Sequence, residues 1–341
     1  MIMGIDSKTA ITVFETATVA FIVVALMGLK FIPFLKKLKF GQEVRDCGPE
    51  AHLKKQGTPT MGGIMILAGI VLASVIGFAA MKEISETALQ ILFLTLAYGL
   101  IGFADDYLKI RRHNSAGLSA GAKLALQLAA AVGFAVWAYL RPSEGITAGR
   151  VLIPFTGIGE TAAGFTLPIW AFIPFAVLVI LGTDNGVNFT DGLDGLCSSV
   201  TAVVAVFFVV AGLLIAKGAA LVSAAAAGAL AGFLVFNAYP AKVFMGDTGS
   251  LALGGFVAAC AVVTGSELYI LIFGLVYLVE VLSVILQVGY FKLTHGKRIF
   301  KMAPIHHHFE LCGNSETRIV TVFTVITAFL AALSLIGLFF I

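Results

Sequence analysis

The sequence predicts an all-α polytopic integral membrane protein with about ten transmembrane helices, both termini outside, and a small extracytoplasmic β-hairpin. Three observations carry this expectation. Of the 341 residues 59% are hydrophobic and 12% charged, with a mean hydropathy of +1.01, which excludes a soluble domain of ordinary make-up. Apolar runs recur at the roughly 20-residue length that a helix needs to cross a bilayer and are too long for barrel strands. The basic residues are also segregated: only Lys8, Lys82, Arg141, Arg150 and Lys217 fall on one side of the predicted membrane, leaving 17 of the 22 on the other.

In chain order the spans are expected at 11–34, 61–81, 87–105, 122–140, 168–185, 197–216, 219–238, 249–265, 268–291 and 319–341. The first lacks a basic leader and is too long for a signal peptide, so it counts as a span. An even number of spans puts both termini on one side, and the positive-inside rule makes the Lys/Arg-rich side cytoplasmic. On the outer side, Val151–Phe155 and Phe165–Leu167 flank a Gly-containing turn and read as a hairpin. No soluble insertion interrupts the chain, which reads as one transmembrane catalytic domain, 1–341. A net charge of +3 gives no reason to expect nucleic acid. Cys47, Cys197, Cys260 and Cys312 are too scattered for a disulfide framework or a cysteine metal site.

All dense polar clusters fall at cytoplasmic span ends. The stretch Thr183–Gly195 carries Asn185, Asn188, Asp191 and Asp194 at three-residue intervals, so a helix end running into a tight turn gathers their oxygens. Such hard ligands suit Mg2+ beside substrate phosphates, although Asn, Asp and Gly are also what ordinary loops are made of. Asp105 and Lys109 share a helical face four residues apart, next to Asp106; a solvated helix end with an ion pair is the plainer reading. Lys123 opens the next span. Asp247 precedes the small residues that open span 8, as an anion-site element or merely an N-cap, with Phe244 as a stacking platform or simple packing. His306, His307 and His308 are consecutive, and in extended chain such neighbours point apart, so they read as donors to phosphate or ribose rather than one zinc site. The loop 52–63, with Lys54, Lys55 and Thr60, reads as an anion or nucleotide contact.

HLKKQGTPTMGG at 52–63, DDYLK at 105–109, NGVNFTDGLDGL at 185–196, FMGDTGS at 244–250 and APIHHHFE at 303–310 closely resemble the phospho-N-acetylmuramoyl-pentapeptide transferases, within the polyprenyl-phosphate N-acetylhexosamine-1-phosphate transferases. The resemblance covers all five inner loops in order. It implies a Mg2+-dependent, homodimeric enzyme of the bacterial plasma membrane that moves phospho-MurNAc-pentapeptide from UDP-MurNAc-pentapeptide to undecaprenyl phosphate. The products are lipid I and UMP, in the first membrane step of peptidoglycan synthesis. It further implies Asp105, Asp106, Asp247 and His306 as catalytic, with Asp105 as base toward the lipid phosphate, and Asp247, Asn188 and Asp191 as the metal set. Substrate contacts are implied at Lys55, Thr60, Lys109, Lys123, Asn185, Asn188, Asp191, Asp194, Asn237, Phe244, Gln287, His307 and His308. Asp184 stands where the family pattern suggests a small residue such as Ser.

Sister enzymes using another UDP-N-acetylhexosamine space their histidines differently, which favours the muramoyl-peptide substrate. A transporter would place its charges near the bilayer midplane, and only Glu280 does so here, where a helix-to-helix hydrogen bond explains it. An intramembrane metalloprotease would need HExxH, which is absent. Direct attack by the lipid phosphate and a covalent enzyme intermediate are both compatible with the motifs.

Overall fold

The computed structural model describes residues 6–37, 55, 57–112, 117–143, 145–157 and 162–339; His52 and Lys54 of the first motif, and Cys47, lie outside them. Ten helices are long and apolar enough to cross a membrane, which makes this a multi-pass membrane protein. They are α1 Ser7–Lys37, α2 Gly63–Met81, α3 Glu86–Arg112, α4 Ala120–Leu140, α5 Ile169–Thr190, α6 Leu196–Ile215, α7 Lys217–Asn237, α8 Gly246–Val263, α10 Leu275–Leu293 and α12 Glu316–Phe339. Two short helices, α9 Ile270–Phe273 and α11 Ile305–Leu311, complete the α elements among the described residues.

The apolar content is spread around the helices because burial is shared between protein and lipid. Helices α7 and α8 are almost wholly enclosed, whereas α1, α4, α10 and α12 present large exposed faces carrying Phe14, Leu26, Leu124, Ile285, Leu286 and Phe329. Helix α8 is the hub. It packs along α3 through Gly99, Gly102 and Gly255, and against α5 through Gly254, whose Cα approaches Asp184 too closely for a side chain. Small residues at these crossings let backbones meet where no water-driven force pulls helices together.

The expected hairpin is present, each strand starting one residue earlier and the first ending at Leu152 and not at Phe155: β1 Arg150–Leu152 pairs antiparallel with β2 Gly164–Thr166, Val151 opposite Phe165. It lies at the end of the bundle opposite the polar clusters and close to the end of α12, where the Gly157 amide donates to the Gly337 carbonyl. Three expected spans are revised: α3, expected to end at 105, runs on to Arg112. Helix α5 continues past 185 to Thr190, so Asn185 and Asn188 are helical. The span expected at 268–291 is divided at Gly274, the N-cap of α10, after a 3-10 turn Glu267–Tyr269 and α9. Composition alone does not distinguish this broken segment from a continuous span.

Glu267 lies in that 3-10 turn, outside the ten spans. It is buried, and neither carboxyl oxygen has a hydrogen-bond partner among the described residues. Burial pushes its carboxyl well above the usual range. The folded protein therefore keeps a proton that the unfolded chain loses above about pH 4.3, so this group's contribution to stability is present at low pH and falls as pH rises toward the folded value. Glu267→Gln is expected to raise the thermal midpoint in detergent at pH 8, with the gain vanishing toward pH 4. A gain equal at all pH values would contradict the linkage.

Candidate active site

Three carboxylates from two helices form the centre. Asp105 and Asp106 lie in the last turns of α3 and Asp247 in the first turn of α8, each offering one oxygen within 4.8 Å of the others. Asp105 and Asp106 are buried, while Asp247 is partly open to the polar end. Two ammonium groups cross the cluster. Lys109 Nζ lies 2.5 Å from Asp105 Oδ2, 2.9 Å from Asp247 Oδ2 and 3.9 Å from Asp106 Oδ1. Lys123 Nζ lies 2.7 Å from Asp247 Oδ2. The expected four-residue pairing of Asp105 with Lys109 holds because α3 continues to Arg112.

Asp247 does not cap its own helix. The first turn of α8 is capped from α3: Asp106 accepts from the backbone of Asp247 (3.2 Å) and Thr248 (2.9 Å) and from Thr248 Oγ1 (2.6 Å). Gly246 makes the turn into α8 at φ +71°, and a Cβ there would sit 2.6 Å from Asp106 Oδ2 and 2.8 Å from Thr60 Oγ1, so a glycine is required. Thr60 thereby borders the centre. Its segment is stitched to the connection before α8 by Phe244 N to Pro59 O and Gly62 N to Phe244 O.

From α5, Asn188 Nδ2 donates to Ser250 Oγ at 2.7 Å and lies 3.3 Å from Asp247 Oδ1. One helical turn deeper, Gln127 Nε2 donates to Asp184 Oδ2 at 2.6 Å. Since Gln127 follows Lys123 by four residues and Asn188 follows Asp184 by four, α4 and α5 form two rungs. The upper rung meets on Asp247, and the lower accounts for the unusual Asp184. Asp191 follows the end of α5. Burial first, then the negative charges of Asp247, Asp106 and Asp194, push its carboxyl well above the usual range. Asn185 is not brought to this group; its amide donates to Leu181 O of its own helix. Three residues turn a helix by about 300°, so a three-residue repeat drifts around the axis instead of holding one face.

Lys55 and Asp194 meet each other, and Asn237 is buried between Ser198 and the Val243 carbonyl. Gln287 fastens the basic loop: its Oε1 accepts from Ile299 N and Phe300 N, and its Nε2 donates to Phe300 O. The histidines are helical, in α11, which begins after Pro304. Neighbours lie about 100° apart on a helix, yet the His306 and His307 rings sit against each other with centroids 4.1 Å apart. His306 is buried with Nδ1 3.0 Å from Glu280 Oε2 and its ring against Gly192. His307 Nδ1 pairs with Glu310 Oε2 at 2.7 Å, and His308 Nδ1 accepts from Lys301 N. Glu280, read from sequence as a helix-to-helix contact, makes that contact with His306 of the histidine helix.

The Glycosyl transferase family 4 model matches residues 88–265, which contain the three carboxylates, and the Phospho-N-acetylmuramoyl-pentapeptide-transferase signature 1 matches residues 55–67. A curated phospho-N-acetylmuramoyl-pentapeptide-transferase of Clostridioides difficile (strain 630) is 47% identical over 99% of this chain and 100% of its own length. That of Bacillus pumilus (strain SAFR-032) is 47% identical over 94% of the chain and 96% of its length. This chain belongs to the phospho-N-acetylmuramoyl-pentapeptide transferase family.

For a transferase of this family, two sets of site residues can be compared. The three clustered carboxylates, all hard oxygen donors on two rigid helices, fit a divalent cation of the Mg2+ type. The set expected from sequence, Asp247, Asn188 and Asp191, shares one member with that cluster. Sequence reasoning missed the roles of Thr248, Ser250, Gln127 and Glu316 because each is defined by a partner far away in the chain.

Proposed function

We propose that this protein transfers phospho-MurNAc-pentapeptide from UDP-MurNAc-pentapeptide to undecaprenyl phosphate, giving lipid I and UMP, as the first membrane step of peptidoglycan synthesis. The observation that carries the reading is the Asp105–Asp106–Asp247 cluster crossed by Lys109 and Lys123 at one end of an otherwise apolar bundle. Such a site meets a lipid-borne phosphate and a soluble nucleotide at the same place. The excess of Lys and Arg at that end supports a cytoplasmic orientation in the bacterial plasma membrane. Single-domain organisation over 1–341 and a homodimeric state are part of the proposal, the latter on family resemblance alone.

In the reaction, an oxygen of the lipid phosphate attacks the β-phosphorus of the nucleotide substrate. The bond from that phosphorus to the bridging oxygen breaks, and UMP leaves with the electron pair. Asp247 with Asp106, bordered by Asn188 and Asp191, would hold Mg2+, which would supply positive charge to neutralise the phosphate oxygens. Asp105 is the base that accepts any proton remaining on the attacking phosphate, its other oxygen being fixed by Leu118 N at 2.8 Å. Lys109 and Lys123 stabilise negative charge as it shifts toward the leaving group. Asn188 orients Asp247. The basic loop held by Gln287 and the α11 histidines forms the wall for the sugar-peptide half, and Phe244 lines the nucleotide half, while Asn237, buried between Ser198 and the Val243 carbonyl, supports it from behind.

Purified protein in detergent, given UDP-MurNAc-pentapeptide and undecaprenyl phosphate, is expected to release UMP with Mg2+ and to stop when EDTA removes it. Turnover of UDP-GlcNAc in place of the muramoyl substrate would overturn the substrate assignment.

A further inference from the structure

At the polar end, four chain segments converge on one buried charge group. Lys55 Nζ lies 2.7 Å from Asp194 Oδ1 and 2.5 Å from Glu316 Oε1, with side-chain exposures of 15%, 3% and 10% respectively. The same Glu316 oxygen accepts from the Asp194 amide at 2.6 Å, and Asp194 Oδ2 accepts from Ala241 N at 2.8 Å. The first-loop lysine, the turn after α5, the connection before α8 and the first turn of α12 are thereby tied together. Glu316 lies outside every motif read from the sequence.

We infer that Glu316 is a positioning residue for the nucleotide end of the substrate site, acting through Lys55 and the Asp194 turn. The inference rests on the transferase reading above. One ammonium facing two carboxylates adds no net positive charge for a diphosphate, unlike Lys109 and Lys123 at the acidic centre. Lys55 serves instead as a directed donor. An ammonium has three N–H groups, and two are committed to Asp194 and Glu316, so these two carboxylates fix the direction of the third. An acceptor oxygen on the nucleotide half of the precursor takes that third bond. Burial alone would lower the Lys55 pKa, but the bonds to Asp194 and Glu316 outweigh it and keep the ammonium charged. Without Glu316, the lysine and the turn before α6 both lose their shared anchor. The consequence falls on precursor binding, not on the lipid or the chemical step.

The test measures initial UMP release while each substrate is varied in turn, for the parent protein, Glu316→Ala, Glu316→Gln, Lys55→Ala and the Lys55→Ala/Glu316→Ala double variant. Glu316→Ala should raise KM for the nucleotide precursor about tenfold, with kcat and KM for the lipid phosphate within about twofold of the parent. Glu316→Gln keeps an acceptor oxygen and should recover part of the loss. The double variant should lose less than the product of the two single effects, because Glu316 acts in part through that lysine. An unchanged nucleotide KM in Glu316→Ala overturns the inference, as do additive effects in the double variant. A fall in kcat and thermal midpoint with both KM values disturbed would show a structural role instead. A parent that releases no UMP with Mg2+ overturns the transferase reading and this inference with it.

Discussion

Asp247→Asn is expected to lower Mg2+-dependent UMP release by about 10³-fold while leaving the bundle folded, on the scale of losing one preorganised electrostatic group from a transition state. Asp247 is where all the converging elements meet. Its Oδ2 accepts from Lys109 at 2.9 Å and Lys123 at 2.7 Å, and its Oδ1 faces the Asn188 amide at 3.3 Å. An asparagine has one acceptor oxygen. Whichever way its amide turns, an N–H group points at another donor, either the two ammoniums or Asn188. The substitution also takes one of three charges from the carboxylate cluster, which weakens any divalent cation held there. Asp247 is partly open to solvent, so relaxation can absorb much of the structural cost. Release of UMP at saturating Mg2+ and the thermal midpoint in detergent check the two halves of this expectation. Retained UMP release would remove Asp247 from the metal set without touching the family assignment.

What the sequence reveals here divides along a physical line. The spans are legible because bilayer thickness imposes a length that apolar runs must meet, and nine of the ten expected spans appear as single long helices. The pairing of Asp105 with Lys109 is legible because four residues define one helical face. Partners set by packing are not. Nothing near Asp106 announces that it caps a helix beginning at Gly246, and nothing near Glu316 announces Lys55. The break at Gly274 is hidden because α9 and the first turn of α10 are both apolar on either side. The histidine run shows a subtler failure. Seven residues are too few to separate a short helix from extended chain by periodicity, and the expectation that neighbouring rings point apart fails for His306 and His307, whose ring centroids lie 4.1 Å apart while their Nδ1 atoms face different carboxylates, Glu280 and Glu310. Asn185 fails differently: it lies inside a helix that runs on to Thr190, and its three-residue spacing leaves it facing its own backbone.

Asp106→Asn is expected to lose activity and stability together, and the coupling distinguishes its role from that of Asp105. Helix α8 starts at Gly246 after Met245, whose side chain provides no cap, so the free N–H groups of its first turn depend on α3. Asp106 supplies both the acceptors and the negative charge that a helix N-terminus favours, taking three donors on its two oxygens. An asparagine leaves one acceptor and aims an amide N–H at either the Asp247 or the Thr248 donors. Leaving buried donors unsatisfied costs about 1–3 kcal/mol, read as a fall in thermal midpoint. Because Asp247 rides on that turn, a displacement of about 1 Å is enough to cost about 10²-fold in UMP release. Thr248→Ala removes only the hydroxyl donor and keeps both backbone bonds, so it should lose less than about threefold in activity. If Asp106→Asn abolishes turnover with an unchanged midpoint, the carboxylate acts on the substrate or its metal directly, and the cap is incidental. If the midpoint and the rate fall together, with Thr248→Ala shifting both slightly in the same direction, the cap from α3 is what places Asp247.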